Sequence, residues 1–373
     1  MTSGRPLRVL IAGGGTGGHL YPGIAIAEAV TAEGGEVLFV GTKRGLEGKL
    51  VPEAGFALEL LDITGLKRAG LRGTLRSLVR LPRAFAASRR ILRRFRPDVV
   101  VGVGGYASGP LVLAAALGGY PTAIQEQNSR PGFTNRVLGR FARRVFVAFD
   151  EARRRFGRRK VRLIGNPVRR RFLGRLEAAD AAAAESRPAA APTILILGGS
   201  QGSHAVNEIA SATVQVLHAR GQAPRVVHQT GPVEEDRMRL YYDALGMGPR
   251  VEVRAYIDDM PAALSRASLV VARAGALTLA ELAIVGRPAI LFPLPTAADD
   301  HQTLNALEFE RAGAAVMLPQ YETSPSQLAD VVEQLLGDPA RRASMAEAMR
   351  RLARPDATRD IVEELRVLAA SKG

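Results

Sequence analysis

The stretch GGGTGGH, residues 13–19, decides the fold of the first half of the chain. It follows an apolar run at residues 7–12 that is typical of a buried strand, and it precedes a helix-like pattern at residues 23–30. A strand, a tight glycine turn and a helix form one half of a βαβ unit. Glycines let the backbone approach a ligand closely, and the amide groups of a helix start favour a phosphate or another anion.

The spacing of Gly13, Gly15 and Gly18 also fits the dinucleotide-binding pattern G-x-G-x-x-G. That pattern requires an acidic residue at the end of the second strand, about 20 positions on, to hold a ribose. The second predicted strand, residues 36–41, is instead followed by Thr-Lys-Arg at residues 42–44. A nicotinamide-dependent oxidoreductase is therefore disfavoured, and glycines that serve only a tight turn are a further alternative.

The length of 373 residues predicts about two domains with ample core. The absence of cysteine excludes disulfides and thiolate chemistry and fits a reducing cytosol. We expect neither a signal peptide before the first strand nor a membrane span, since no apolar run approaches about 20 residues.

The net charge of +15 is distributed unevenly along the chain. Residues 1–190 contain 33 Lys and Arg but 14 Asp and Glu, whereas residues 191–373 contain 18 and 22. The two halves are therefore expected to meet different partners, and the basic half suits anionic lipid, nucleic acid or an acidic substrate.

Residues 63–97 form a cationic, amphipathic stretch that contains 11 Lys and Arg and no acidic residue. Leucines and phenylalanines alternate with the arginines at roughly helical spacing, which is typical of a helix lying on an anionic bilayer. The alternative is a surface helix that packs on a sheet and keeps its arginines in water. We expect no nucleic-acid partner, because the stretch lacks Tyr and Trp for base stacking and the chain contains no known nucleic-acid motif.

The opening pattern returns in the second half, with a strand at residues 193–197, the loop GGSQGS at 198–203 and a helix at 205–217. Further strands are predicted at residues 98–106, 123–128, 145–149, 161–167, 225–228, 251–253, 269–272 and 289–292. The alternation predicts the α/β class, with two doubly wound, Rossmann-like parallel sheets covered by helices.

The domain boundaries follow from this repeated pattern. We expect a first domain at residues 1–175, a linker at 176–192, a second domain at 193–355 and a last helix at 356–373. Two such domains in tandem imply a cleft in which carboxyl ends of strands contact a large polar ligand.

Several motifs then occur in order along residues 7–320. They are the two glycine loops, GGY at 104–106, QEQN at 125–128, GNPVR at 165–169, RAGALT at 273–278 with Glu281, and DDHQ at 299–302 with Asn305. This ordered set closely resembles the MurG family of peptidoglycan N-acetylglucosaminyltransferases. The resemblance implies a GT-B fold, two domains facing a cleft, with the last helix packing back on the first domain.

The same resemblance implies an activity and its partners. The family transfers N-acetylglucosamine from UDP-N-acetylglucosamine to the C4 hydroxyl of the muramoyl sugar of lipid I, with inversion, and so produces lipid II. The implied partners are UDP-N-acetylglucosamine, lipid I, the anionic membrane surface and other proteins of cell-wall synthesis. The implied location is peripheral, at the cytoplasmic face of the cell membrane.

The resemblance also assigns residues to the donor and acceptor sites. The donor residues are Thr16, Gly17, Gly18, Asn128, Arg169, Ser200, Ile257, Ala276, Leu277, Thr278, Leu279, Ala280, Glu281 and Gln302. Acceptor or supporting roles fall to Gly104, Gly105, Tyr106, Asn135 and His301. Within the donor set, Ser200 is expected to meet the diphosphate and Glu281 to accept the two ribose hydroxyls.

An inverting displacement needs a base on the acceptor hydroxyl and a group that stabilises the departing diphosphate. The chain contains no D-x-D triplet, so we expect no metal ion and no cofactor, and assign the diphosphate to the loop at residues 198–203. His19 is the preferred base, because the positive end of a helix favours the neutral imidazole. A structural histidine is the alternative role. Glu126 is a second candidate for the base, and Tyr106 is a weaker one.

Two rival functions use the same residues differently. Another GT-B activity, such as a glycolipid glycosyltransferase or a UDP-sugar epimerase, would share the uridine site and differ at residues 104–106 and 125–128. A non-enzymatic module that binds lipid surfaces is disfavoured, because the sequence predicts two complete nucleotide-type folds.

Overall fold

The computed structural model describes residues 5–43, 45–63, 70–185, 191–199 and 202–371. The chain divides into two compact units, Met1–Arg170 with Pro355–Gly373 and Arg171–Arg354. The strands are β1 Arg8–Gly13, β2 Glu36–Thr42, β3 Ala57–Leu61, β4 Val99–Gly104, β5 Thr122–Glu126, β6 Arg144–Val147, β7 Val161–Leu163, β8 Thr193–Leu197, β9 Arg225–Gln229, β10 Val251–Arg254, β11 Leu269–Arg273, β12 Ala289–Phe292 and β13 Ala315–Met317.

Helices alternate with these strands along the chain. They are α1 Gly17–Ala32, α2 Glu47–Glu53, α3 Gly70–Phe95, α4 Ser108–Leu117, α5 Phe133–Leu138, α6 Asp150–Arg153, α7 Arg170–Glu185, α8 His204–Ala219, α9 Glu235–Ala244, α10 Met260–Arg266, α11 Ala276–Val285, α12 His301–Arg311, α13 Pro325–Gly337, α14 Pro339–Leu352 and α15 Ala357–Ala370. A 3-10 turn, Ala298–Asp300, precedes α12.

Each unit contains one sheet in which every strand pairing is parallel. The first sheet has the order β3-β2-β1-β4-β5-β6-β7, and the second has the order β10-β9-β8-β11-β12-β13. In both sheets the order reverses beside the strand that precedes a glycine loop, which is where doubly wound folds bind ligands. The predicted doubly wound α/β class is confirmed.

The first sheet is covered by helices on both faces, and this explains its unbroken apolar strands. Leu10 and Ala12 of β1 pack with α3 and α4 residues on one face. Val9 and Ile11 pack on the other face, together with α1 and α15. Helix α15 also pairs Glu364 with Arg144, at 3.1 Å, so the last helix is part of the first unit's core.

Helix α3 differs from the expectation of an interfacial helix in its second half. Ile91, Leu92 and Phe95 are buried in the core of the first unit, so these side chains face the sheet. Arg89 and Arg90 are exposed. Residues 64–69 of the cationic stretch lie outside the described residues.

The expected linker at residues 176–192 also differs from the structure. Residues 176–185 continue helix α7, and Arg171 onward groups with the second unit. The segment is rich in alanine, which is the strongest helix former even where apolar periodicity is weak. Within the part of the chain that the structure describes, no helix has both the length and the apolar composition that crossing a bilayer would need.

Candidate active site

The glycine loop after β1 is held by a buried carboxylate that the sequence analysis did not single out. Glu47, at the start of α2, accepts hydrogen bonds from the Gly15 amide at 3.0 Å and from the Thr42 amide and hydroxyl at 2.7 Å each. Burial would raise the pKa of the Glu47 carboxyl, but these hydrogen bonds outweigh it and hold that pKa below its usual value. A charged Glu47 therefore fixes the loop to the end of β2.

Two further glycines explain how the loops after β1 and β4 come together. A Cβ on Gly104, whose φ is +102°, would lie 2.6 Å from Cδ2 of His19. A Cβ on Gly105, whose φ is +81°, would lie 2.2 Å from the carbonyl oxygen of Gly14. Only glycine fits either position, because the backbone conformation and the close contact both exclude a side chain. The predicted residues Gly104, Gly105 and His19 are thus adjacent.

Helix α1 begins inside the glycine loop, six residues earlier than the sequence pattern indicated. Thr16 is its N-cap residue, so Gly17, Gly18 and His19 form the first turn. The imidazole of His19 is half-buried, and its Nδ1 lies 3.4 Å from the Thr16 hydroxyl. The His19 amide donates to the Thr16 carbonyl at 3.2 Å, and the start of a helix suits an anion or a polarised hydroxyl.

Glu126, the second candidate for the base, is buried at the end of β5. Its carboxylate accepts hydrogen bonds from the Asn128 amide at 3.0 Å, the Gly132 amide at 3.2 Å and the Asn135 side chain at 2.9 Å. Burial raises the pKa of Glu126, and these hydrogen bonds offset the rise only in part. The contacts favour a structural role for Glu126. In that role Glu126 holds the loop at residues 127–132 and keeps Asn128 and Asn135 in place.

The remaining predicted residues of the first unit lie at the same carboxyl edge of its sheet. Tyr106 follows β4 and is 46 % exposed. Arg169 follows β7 and its guanidinium carbon lies 4.9 Å from the centroid of the Tyr21 ring, on α1. Arg169 is also close enough to Glu28 to oppose the rise that burial causes in the pKa of that carboxyl.

In the second unit, a buried arginine braces the glycine loop after β8. Arg273, at the end of β11, donates from Nη2 to the Ser203 hydroxyl at 2.7 Å and from Nη1 to the carbonyls of Phe292 and Pro293 at 3.2 Å. Ser203 is the N-cap residue of α8. The predicted Ser200 lies outside the described residues, between the described residues Gly199 and Gly202.

Helices α11 and α12 carry most of the other predicted donor residues. Residues 276–281 form the first part of α11, in which Ala276 and Leu279 are buried and Glu281 is half-buried. At the start of α12, Gln302 accepts a hydrogen bond from the Leu294 amide at 3.0 Å, and Asn305 donates to the Ala274 carbonyl at 3.2 Å. These bonds bring the loops after β11 and β12 together.

Two further predicted residues, His301 and Ile257, lie beside these donor residues of α11 and α12. His301 bonds through Nδ1 to the Ala298 carbonyl at 2.7 Å, in the turn before α12. Ile257 lies in the loop after β10, next to Asp258, whose carbonyl accepts from Arg175 at 3.0 Å. Among the residues that the structure describes, no three acidic or histidine side chains are grouped so that they could hold a metal ion.

Glu47 and Arg273 are thus the supporting residues that sequence reasoning missed or left without a role. Arg273 stood in a motif of the resemblance, but Glu47 stood in none. Its partner Gly15 is 32 residues away in sequence, so no local pattern distinguishes it from a solvent-exposed glutamate.

Comparison with known proteins agrees with this architecture over almost the whole chain. Residues 9–147 match the model of the glycosyltransferase family 28 N-terminal domain, and residues 193–361 match that of the C-terminal domain. A protein of Anaeromyxobacter sp. (strain Fw109-5) is 49 % identical over 96 % of this chain and 92 % of its own length. It is named UDP-N-acetylglucosamine–N-acetylmuramyl-(pentapeptide) pyrophosphoryl-undecaprenol N-acetylglucosamine transferase.

A relative from Myxococcus xanthus with the same name is 47 % identical over 96 % of this chain and 92 % of its own. The crystal structure of Acinetobacter baumannii MurG matches with a TM-score of 0.80 and 30 % identity, covering 97 % of this chain and 100 % of that one. The family predicted from the ordered motifs is therefore confirmed, and the oxidoreductase alternative falls. The chain belongs to glycosyltransferase family 28, among the MurG-type N-acetylglucosamine transferases.

Proposed function

We propose that this chain transfers N-acetylglucosamine from UDP-N-acetylglucosamine to the C4 hydroxyl of the muramoyl sugar of lipid I, giving lipid II. The observation that carries the proposal is the match, at 49 % identity over 96 % of the chain, to a transferase named for this reaction. The two glycine loops at sheet switch points add a physical reason, since each presents the start of a helix to an anionic ligand.

The second unit binds the nucleotide of the donor in this proposal. The loop at residues 198–203 and the start of α8 hold the diphosphate, and Arg273 keeps that loop in place through Ser203. The backbone of Ile257 pairs with uracil, Glu281 accepts the ribose hydroxyls, and the side chain of Gln302 contacts the sugar. The Leu294 amide bonds to the oxygen of Gln302, so this orientation leaves the Gln302 amino group as the donor toward the sugar.

The first unit supplies the acceptor side. Tyr106, the exposed side chain beside Gly105, serves the acceptor, whereas Thr16, Gly17 and Gly18 at the start of α1 and Asn128, which Glu126 holds, contact the donor. His19 takes the proton of the C4 hydroxyl as its oxygen attacks C1 of the donor sugar. The bond from C1 to the UDP oxygen breaks, and UDP leaves from the opposite face.

A membrane-surface location follows from the lipid-linked acceptor and from the charge of the first unit. The exposed arginines of α3 would lie near anionic head groups, which attract basic residues with about 1 kcal/mol each. We therefore place the protein at the cytoplasmic face of the membrane, bound peripherally.

A transfer assay with radiolabelled UDP-N-acetylglucosamine and a lipid I analogue tests the proposal. Label should enter the lipid fraction only when both substrates are present, and a chelator should leave the rate unchanged. Release of free sugar without an acceptor, or no transfer at all, would contradict the proposed reaction.

The role of His19 is tested in the same assay with His19→Ala. Loss of a general base lowers turnover by about 10²–10⁴-fold, and calorimetric UDP affinity should stay unchanged. His218→Ala, an exposed histidine in the last turn of α8, is the matched control and should retain full activity. Near-normal turnover of His19→Ala at saturating acceptor would remove His19 as the base.

A further inference from the structure

Three polar side chains form a buried hydrogen-bonded chain in the second unit, away from the predicted donor residues. Asn207 lies on α8, His228 on β9 and Tyr242 on α9, and each is at most 1 % exposed. His228 Nε2 lies 3.2 Å from the Asn207 side-chain oxygen, and His228 Nδ1 lies 3.0 Å from the Tyr242 hydroxyl. Buried polar groups are costly unless they are paired, so this chain of contacts needs a structural reason.

The direction of each hydrogen bond in this chain is fixed. The Asn207 side-chain nitrogen donates to the Thr230 carbonyl at 2.9 Å and to the Glu234 carboxylate at 2.6 Å. The Asn207 oxygen is therefore the acceptor, and His228 must donate to it from Nε2. Burial lowers the pKa of His228 to about 3, so the imidazole is neutral near pH 7, holds its proton on Nε2 and accepts at Nδ1 from the Tyr242 hydroxyl.

The Thr230 carbonyl connects this chain to the glycine loop after β8. A Cβ on Gly202, whose φ is +74°, would lie 2.2 Å from the Thr230 oxygen, so the loop backbone packs directly on that carbonyl. The neighbouring Gln229 donates from its side chain to the Gly199 carbonyl at 3.2 Å. The end of β9 thus supports both described ends of the loop.

We propose that His228 is a positioning residue for the donor diphosphate, acting through Asn207 and Thr230 on Gly202 of the glycine loop after β8. The inference rests on the proposed function, because it assumes that UDP meets this loop. His228 touches no substrate. It fixes the Asn207 side chain, which fixes the Thr230 carbonyl against which Gly202 is seated. Oriented loop amides bind an anion better than amides that must first be ordered.

The test compares UDP binding by calorimetry in the wild-type chain, His228→Phe, His228→Gln, Tyr242→Phe and Val226→Ala. His228→Phe keeps a planar aromatic ring at this position but removes both hydrogen bonds of the imidazole. We therefore expect the Kd for UDP to rise about tenfold, equivalent to about 1.4 kcal/mol. The donor KM should rise equally, while kcat and the acceptor KM stay unchanged. His228→Gln can still donate to Asn207, so its Kd should stay within about threefold of wild type.

Val226→Ala is the control for lost stability, since Val226 is a buried core residue on the same strand. It should lower the unfolding midpoint and leave the Kd for UDP unchanged. Tyr242→Phe removes only the hydroxyl that donates to His228 Nδ1, and should raise the Kd about threefold. If His228→Phe does not fold, Tyr242→Phe alone tests the positioning role of His228.

Wild-type UDP affinity in folded His228→Phe or, failing that, in Tyr242→Phe would overturn the positioning role. A rise in Kd equal to that of Val226→Ala would overturn it as well. A wild-type chain that binds no UDP would instead overturn the proposed function, so the two failures are distinguishable.

Discussion

Glu47 is the residue on which the geometry of the first glycine loop depends. Glu47→Gln keeps the size of the side chain. It presents to the amides of Gly15 and Thr42 either an amino group, which cannot accept a hydrogen bond, or an amide oxygen, which is a weaker acceptor than a carboxylate. Hydrogen bonds to a charged group are worth about 1.5–3 kcal/mol, so we expect a loss of about 2 kcal/mol in the free energy of unfolding, measured with urea. Glu53→Gln, at the exposed end of the same helix, should change nothing.

The pH dependence of this effect has a definite sign. The folded-state pKa of Glu47 is below its usual value, so its contribution is present above the unfolded pKa of about 4.3 and is lost as pH falls below it. The difference between wild type and Glu47→Gln should therefore shrink at acid pH. A constant difference from pH 7 to pH 3 would show that the charge of Glu47 is not what holds the loop.

His228 gives a pH dependence of the same sign, because its folded-state pKa is also below the usual value, but here folding favours the neutral form of the group. Burial lowers the pKa of its imidazole to about 3, and Glu234 offsets this only in part. Between about pH 3 and the unfolded pKa of about 6.5, the unfolded state binds a proton that the folded state does not. His228 therefore lowers stability by up to about 1.4 kcal/mol for each pH unit below 6.5.

Replacement by glutamine removes that titration. The free energy of unfolding in urea is measured for His228→Gln and wild type at pH 7.5 and pH 5.0. Between these pH values it should fall by about 2 kcal/mol more in the wild type than in His228→Gln. Equal losses in the two proteins would mean that His228 is already protonated in the fold, and would contradict the hydrogen-bond directions assigned to it.

At the scale of elements, the sequence predicts those strands whose side chains are buried on both faces. The apolar runs of β1, β4, β8, β11 and β12 were all found, because two covered faces leave no polar alternation. Strand β3 was missed, since it is a sheet edge whose residues are mostly part-exposed and include Glu59. Strand β13, three residues at the edge of the second sheet, was also missed.

The start of α1 shows a different limit of prediction from sequence. Gly17 and Gly18 are poor helix formers, so local propensity delays the helix to residue 23. The contacts of His19 with Gly104 and of Gly14 with Gly105 come from residues about 90 positions away and override that propensity. Glycine motifs therefore predict where a site lies, whereas the packing of one loop on the other could not be derived from them.

Helix α15 is the element whose role is easiest to test. Leu365 is fully buried in the first unit's core, whereas Val367 on the same helix is 59 % exposed. Leu365→Ala should lower the free energy of unfolding by about 2–5 kcal/mol, through lost burial and a cavity. Val367→Ala should change it by less than about 0.5 kcal/mol. Comparable effects of the two substitutions would mean that α15 is not part of that core.

At the scale of the whole molecule, the excess positive charge of the first 190 residues predicts where an anionic surface binds. Because Ile91, Leu92 and Phe95 face the core, we expect the proposed attraction at this end of α3 to be electrostatic and not to involve apolar insertion. Charge attraction is screened within about 10 Å at 0.1 M salt. Binding to vesicles of anionic lipid should therefore weaken steeply between 0.05 and 0.5 M salt, on the order of tenfold or more.

The double substitution Arg89→Glu and Arg90→Glu locates this surface. Each arginine contributes about 1 kcal/mol near an anionic leaflet, so the loss of two should reduce vesicle partitioning about thirtyfold in cosedimentation, with UDP affinity retained. Arg250→Glu and Arg311→Glu remove the same formal charge from exposed positions of the second unit and should have little effect. If both pairs weaken binding equally, only net charge matters, and α3 is not the surface that meets the membrane.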